Sequence, residues 1–348
     1  MSGVLEFIQK KFLILLPAVI LIGIIFGYFY DLTFLKLLTL PLTFLMIFPP
    51  LLSIDTRKII SRDDFFLQIV AIFINFIIIP FTFYNIGTMF FSDNIALMGF
   101  LLIGLIPTTG MTLSWTALSN GDINSSVKII IINLLLSALL TPLYVKLFMG
   151  KVLNISLEGI FYPIFLIVIL SLSCGYLSQR ILIRKFGIIK FEEQLKPKAP
   201  IFSIFGVLGI VFVIMSSDSH YILTYPLEVL YSTIPAILFY LFGYPVVTAL
   251  GLTLFDEKKA VSLLYGTVMR NFPLVISISF IIFQGTTHLI SIALSIVYML
   301  QIESSGFYVR YAPIIFKDNF IIRIEEIFPK KNVIQYKKLS RHIQSLQK

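Results

Sequence analysis

Two ionisable side chains stand deep inside apolar runs: Arg270 in "SLLYGTVMRNFPLVISISF" and Glu303 in "LQIES". At the centre of a membrane helix each would cost about 2.5–3.5 kcal/mol, so each must be paired or solvated. Three arrangements meet that demand. The two can form a static salt bridge between consecutive spans; Arg270 can face a cavity and hold an anionic substrate while Glu303 titrates; or Glu303 can lie near the interface. A second set is the row of hydroxyls Thr108, Thr109, Thr112, Ser114 and Thr116, beside Pro107 and Gly110. Hydroxyls in membrane helices often bond back to their own helix. Beside a helix break, they and the unwound backbone can instead cradle an anion or a neutral oxyacid, helped by the positive end of a half helix.

Other polar residues read more plainly. Asp122 in "NGDINSS" precedes an apolar run and suits a helix N-cap better than a proton carrier. Asn75 and Asn133 fit either a site between helices or ordinary interhelical bonding. Cys174, the only cysteine, sits among small residues at helix-packing spacing, and Pro49-Pro50 predicts a kink. His220, His288 and His342 are too scattered for a metal cluster, so no metal and no cofactor are expected. An enzyme is not expected either: there is no His-Glu-x-x-His, no pair of mid-span Asp residues and no Ser/His arrangement across spans.

The elements that must position these groups are membrane helices. Of 348 residues, 58% are hydrophobic and 13% charged, with mean hydropathy +0.96, far outside the globular range. The charges cluster between apolar runs, as a bilayer sorts them. The all-α chain divides into about ten spans: 12–30, 34–53, 65–90, 95–118, 124–149, 159–182, 201–217, 226–252, 260–283 and 285–309. With the N-terminus inside, 22 of the 27 Lys and Arg fall in cytoplasmic segments. Both termini are therefore expected in the cytoplasm, at the cell membrane.

Ten spans split into five and five, and an odd number per half gives two repeats of opposite topology, residues 1–153 and 154–310, before a basic cytoplasmic tail, 311–348. Spans 4 and 9 hold matching positions, and both are interrupted, one by Pro107 and Gly110, the other by Arg270, Asn271 and Pro273. Such paired breaks point to the binding site of a secondary transporter. The expected partners are a small anionic or weakly acidic solute and lipid, with no nucleic acid.

Several stretches resemble the arsenite permeases within the bile acid:sodium symporter superfamily. "LMIFPPL" is similar to that family's Leu-Met-x-Tyr-Pro-Pro-Leu, and "NFIIIP" to Asn-Trp-x-x-x-Pro. Trp115, Thr116, Leu118, Gly121 and Asp122 fall on Trp-(Ser/Asn)-x-Leu-x-x-Gly-Asp, with Asn133 on an Asn eleven residues later. "RNFPLVIS" resembles Asn-Asn-Phe-Glu-Leu-Ala-Ile-Ala, and "LQIES" resembles Leu-Ile-Glu-Val. The resemblance implies a core domain whose fourth and ninth helices unwind and cross, and a panel domain that rocks against it. From the residues themselves, Thr108, Thr109, Thr112, Thr116, Arg270 and Asn271 are expected on the substrate and Glu303 in coupling, in a transporter of a small anion or weak oxyacid, arsenite-like or an organic anion.

The departures are chemical. Where arsenite permeases carry Cys in span 4, this chain has Pro107-Thr108, and Pro273 replaces the Glu of the span 9 motif. The sodium-coupled branch has Ser-Asn in span 4 and Glu-Thr-Gly-x-Gln-Asn in span 9; here these read Thr112-Leu113 and Gly266-Thr267-Val268-Met269-Arg270-Asn271. Losing a carboxylate and gaining a guanidinium disfavours a sodium site and points to sodium-independent, proton-linked exchange. The alternatives are a sensor that keeps the transporter fold and a sodium-coupled organic anion symporter.

Overall fold

The computed structural model describes residues 2–52, 64–107, 111–150, 157–195, 198–283 and 288–316. Thr108, Thr109 and Gly110, and the basic tail beyond 316, lie outside them.

The described residues are nearly all helical. In chain order they form α1 (Ser2–Phe29), a 3-10 turn (Thr33–Leu38) leading into α2 (Thr39–Leu51), α3 (Phe65–Phe90), α4 (Asn94–Leu105), α5 (Met111–Leu118), α6 (Ile123–Met149) and α7 (Leu157–Phe186). Then follow α8 (Ala199–Ser217), a short helix (Ser219–Thr224), α9 (Pro226–Leu254), α10 (Glu257–Val268), α11 (Phe272–Phe283) and α12 (His288–Ile315). Helices α3, α6 and α9 and the Ile292–Ala312 part of α12 are long and apolar enough to cross a membrane. Large apolar side chains such as Ile14, Leu21, Ile25 and Phe29 point outward, as in a protein solvated by lipid. This is a multi-pass membrane protein.

Local chemistry sets the helix ends. Asp122 caps α6, its carboxylate accepting from Asn124 N (2.9 Å) and Ser125 Oγ (2.6 Å). The preceding helix α5 ends at Leu118; two residues on, Asn120 is in the left-handed region at φ 58°, and Gly121 N returns to Thr116 O at 2.8 Å. The Pro49-Pro50 pair lies in the last turn of α2. Within α3, residues Ile74–Ile78 form a π turn just ahead of Pro80. Proline has no N–H, which leaves Phe76 O without its helical donor, and the Tyr144 hydroxyl of α6 takes that place.

The core gathers around α4, α6, α10 and α12, with Met98, Leu102, Ile129, Leu264 and Val268 almost fully buried. To one side α1 meets α8 at very close range. A Cβ added at Gly27 would lie 1.9 Å from Ser216 O, and one at Gly23 would lie 2.9 Å from Met215 Cβ.

One polar cluster ties three of these elements at a common end. Asp64 before α3 bonds Lys128 of α6 (3.2 Å) and Lys259 of α10 (3.1 Å). Burial works against the Asp64 carboxylate, but hydrogen bonds from Lys259, Ser125 and Lys128 outweigh it and hold its titration below the usual carboxylate range. The same bond raises the Lys259 ammonium against its own burial. Asp64→Asn should therefore lower stability by about 2–3 kcal/mol at neutral pH, less than for a deeply buried pair because Lys259 keeps a third of its surface exposed. Asp64 stabilises above about pH 4, and that part is lost as pH falls through its lowered native value. Thermal melts of wild type and variant should converge under acid; the part due to Lys259 fades only as pH rises through its raised value.

Candidate functional site

The two interruptions read from the sequence meet in space. Helix α4 stops at Leu105 and α10 at Val268; beyond them Pro107 and Arg270 form an isolated antiparallel bridge, and Asn271 N donates to Ile106 O at 3.1 Å. Non-helical backbone at membrane depth must find partners inside the protein. Gln301 of α12 supplies two of them: its Oε1 accepts from Arg270 N at 2.6 Å and its Nε2 donates to Arg270 O at 3.1 Å. Asn271 Oδ1 accepts from Leu274 N at 3.3 Å, capping α11. Pro273 stands second in α11, in the first turn, where a missing N–H costs nothing; the interruption is Met269–Asn271, ahead of it.

The Arg270 side chain is fully buried in this junction. Nη1 donates to Gly104 O at 3.2 Å, and Nη2 donates to Asn75 Oδ1 and to Thr267 O. Asn75, in the π turn of α3, also donates to Gly266 O at 3.0 Å, so one amide reads both the guanidinium and the last turn of α10. The Arg270 Nε has no partner. No carboxylate of the described residues forms an ion pair with Arg270.

The Arg270–Glu303 salt bridge, one of the arrangements open to the sequence, is thus not formed. Glu303 is partly buried on α12, with Oε1 enclosed and unpartnered, and Arg270 spends its charge on neutral oxygens. Thr112 and Thr116 are both fully buried. Thr112 Oγ1 lies 3.4 Å from Tyr265 O and Thr116 Oγ1 lies 3.0 Å from Ser126 Oγ, so both fasten α5 to its neighbours. The Asn133 side chain is buried with neither polar atom bonded, and Cys174 is half-buried on α7. Among the described residues no three His, Cys, Asp or Glu side chains converge to hold a metal.

Gln301 was the residue that sequence reasoning passed over. The available signal was an amide in an apolar run, the same signal that Asn75 and Asn133 carry. Gln301 also leads into a polar seam between α9 and α12: Tyr240 OH donates to Gln301 Oε1 (2.7 Å), Tyr244 OH pairs with Ser305 Oγ (2.7 Å), and Thr248 Oγ1 with Tyr308 OH (2.5 Å). The junction offers a fixed positive charge, amides and hydroxyls. Such groups are suited to recognition of a polar or anionic solute.

Comparison with known proteins gives the same direction. The model of the sodium bile acid symporter family matches residues 40–225, more than half of the chain. The arsenical-resistance protein Acr3 of Alkaliphilus metalliredigens is 29% identical over 207 residues, 56% of this chain and 58% of that protein. The Acr3 of Corynebacterium glutamicum is 22% identical over 256 residues, 70% of this chain and 69% of that protein. An uncharacterized protein of Bacillus subtilis, YbaS, is 27% identical over 111 residues, 32% of this chain and 36% of that protein. The chain thus spans less than two thirds of the Alkaliphilus and Bacillus relatives.

Gln301→Leu keeps the volume and strands both Arg270 backbone groups. It should cost about 2–4 kcal/mol, the sum expected for two buried groups left unmade. Gln301→Glu keeps an acceptor and should melt between the two. A Gln301→Leu protein that melts with the wild type in detergent would mean that the amide is not what holds the break.

Proposed function

The chain belongs to the sodium bile acid symporter family, and we propose that it is a secondary transporter moving a small anion or weak oxyacid by alternating access, without sodium. The observation behind this reading is the place of the Arg270 guanidinium. Gly104 O, Thr267 O and Asn75 Oδ1 converge on it, three hard oxygens of the kind that would otherwise suit a hard cation. Here the cation is part of the chain. A sodium ion entering within about 4 Å would meet a repulsion of about 4 kcal/mol at the effective dielectric of a protein.

In this reading the junction of the two breaks is the substrate region. Thr112, Thr116 and Asn271 hold the half helices in position, Thr108 and Thr109 are assigned to the solute by sequence position, and Glu303 carries the coupling proton. Two relatives are named for arsenical resistance. Soft metalloids prefer sulfur, and with Thr108 in the thiol's place this chain would have to bind through oxygen.

The proposed topology is ten spans in two inverted repeats, 1–153 and 154–310, with both termini in the cytoplasm. It is supported by contacts between groups assigned to one face: Asp64 with Lys128 and Lys259 on the inner side, Lys36 with Asp218 (2.8 Å) on the outer. Ser219 is buried and His220 exposed, so a cysteine introduced at 220 is the outside probe, and it should label from outside while one at Lys338 does not.

The deciding experiment is flux into proteoliposomes with sodium replaced by potassium at fixed pH, using arsenite and acetate as solutes. Flux should persist in potassium and fall at least tenfold in Arg270→Gln protein that still folds. A steep sodium requirement in the wild type would sink the reading. Thr108→Cys should raise arsenite flux and leave acetate unchanged.

A further inference from the structure

Helix α7 ends with its cations on the face it shows to lipid. Between Glu158 and Arg180 the sequence carries no charged residue for 21 positions, about the length that spans a hydrocarbon core. One exposed apolar stripe runs along this stretch at helical spacing, through Tyr162, Leu166, Leu170, Leu177 and Ile181. Arg180 and Arg184 continue the same stripe and are exposed, with the Arg180 guanidinium 5.7 Å from the centre of the Tyr176 ring. An aromatic ring and a cation at the end of an apolar face mark the boundary with the headgroups.

Beyond that boundary the chain turns back. Gly187 has φ 81°, a conformation glycine adopts without strain, and its N still donates to Ile183 O at 2.9 Å. Ile188–Lys190 make one short helical turn and Phe191–Leu195 a π turn. Phe191 is buried and its N donates to Gly187 O at 3.1 Å, so the turn is pinned. At its tip Ile188 is 60% and Ile189 71% exposed, beside a partly exposed Phe186. The Lys185 and Lys190 ammoniums, one from each side of the reversal, lie 5.5 and 5.4 Å from the centre of the Phe186 ring. Among the described residues none of Arg180, Arg184, Lys185 and Lys190 forms an ion pair.

Water is a poor solvent for two adjoining isoleucines on a fixed turn, and hydrocarbon is a poor one for four cations. The headgroup layer accepts both. We propose that this turn is a docking site for anionic phospholipid, with Phe186, Ile188 and Ile189 among the upper acyl chains and Arg180, Arg184, Lys185 and Lys190 on the phosphate oxygens. Charge selects the headgroup: four cations outnumber the exposed Glu192 and Glu193 on the return, so a lipid with net negative charge is held and the ammonium of a zwitterionic one is repelled. This binding does not depend on which solute the protein moves.

The test uses the full-length protein with Ile189→Trp, reconstituted in mixed phosphatidylcholine and phosphatidylglycerol bilayers in which one lipid or the other carries brominated acyl chains. Trp115 gives a constant background, read from the wild type. Both brominated lipids should quench the tip, and about fivefold less phosphatidylglycerol than phosphatidylcholine should be needed for equal quenching. Lys185→Gln combined with Lys190→Gln, both at exposed positions, should melt with the parent and bring the two lipids near parity; raising salt from about 0.05 to about 0.5 M should move the parent the same way. Equal quenching in the parent would overturn the anionic preference. No quenching by either lipid would leave the tip in water, as a surface for a soluble partner, and overturn the docking itself. A preference unchanged in the lysine variant would take the site away from these lysines and overturn it too. The unsubstituted protein gives the same comparison without a new tryptophan, through the lipid it retains in native mass spectrometry: phosphatidylglycerol retained over phosphatidylcholine supports the site, and no preference overturns it.

Discussion

Burying a guanidinium among membrane helices takes it out of water, and no carboxylate of the described residues comes forward to meet Arg270. Neutral oxygens must do it, and an unbroken helix has few to give, since each carbonyl already serves the amide four residues on. Gly104 O stands in the last turn of α4, which stops at Leu105, and accepts from Arg270; Thr267 O is free because α10 stops at Val268 and Asn271 N turns away to Ile106 O. The charge requires the breaks, and the breaks require partners for the backbone they expose. The π turn that brings Asn75 inward and the Gln301 amide that pairs with Arg270 answer those two needs.

This mutual dependence ties distant parts of the chain to one residue. Asn75 comes from α3, Gly104 from α4, Gln301 from α12, and Gln301 in turn carries the Tyr240 hydroxyl of α9. A displacement of Arg270 is felt on all four helices. In the alternating-access reading, such a junction is suited to moving as one body and poorly suited to bending in place.

Much of this was legible in the sequence where the cause is local. Proline, glycine and arginine inside apolar runs marked both interruptions, and Asp122 announced the start of α6 because a cap acts within a few residues of itself. What was not legible depends on the third dimension. Asn75 and Arg270 are 195 residues apart, and nothing near either position names the other. The pairing of Arg270 with Glu303 was a reasonable way to neutralise two charges on adjoining spans, yet carbonyls released by broken helices leave no trace in a residue list. Gln301 was overlooked for a related reason: an amide that serves as a strand-like partner looks, in sequence, like an amide that merely packs.

The contact of α1 with α8 has a consequence for how this chain can vary. At Gly27 the neighbour is backbone, Ser216 O and its own Cα, so no rotamer change can make room for a larger residue. At Gly23 the neighbour is the Met215 side chain at its stiffest atom. One strip of α1 is therefore closed to substitution, while Ile14, Leu21, Ile25 and Phe29, more than half exposed on the opposite side, need only remain apolar. Among related chains the helix should drift freely on its lipid face and keep its two glycines, a lopsided record of a surface where two main chains touch.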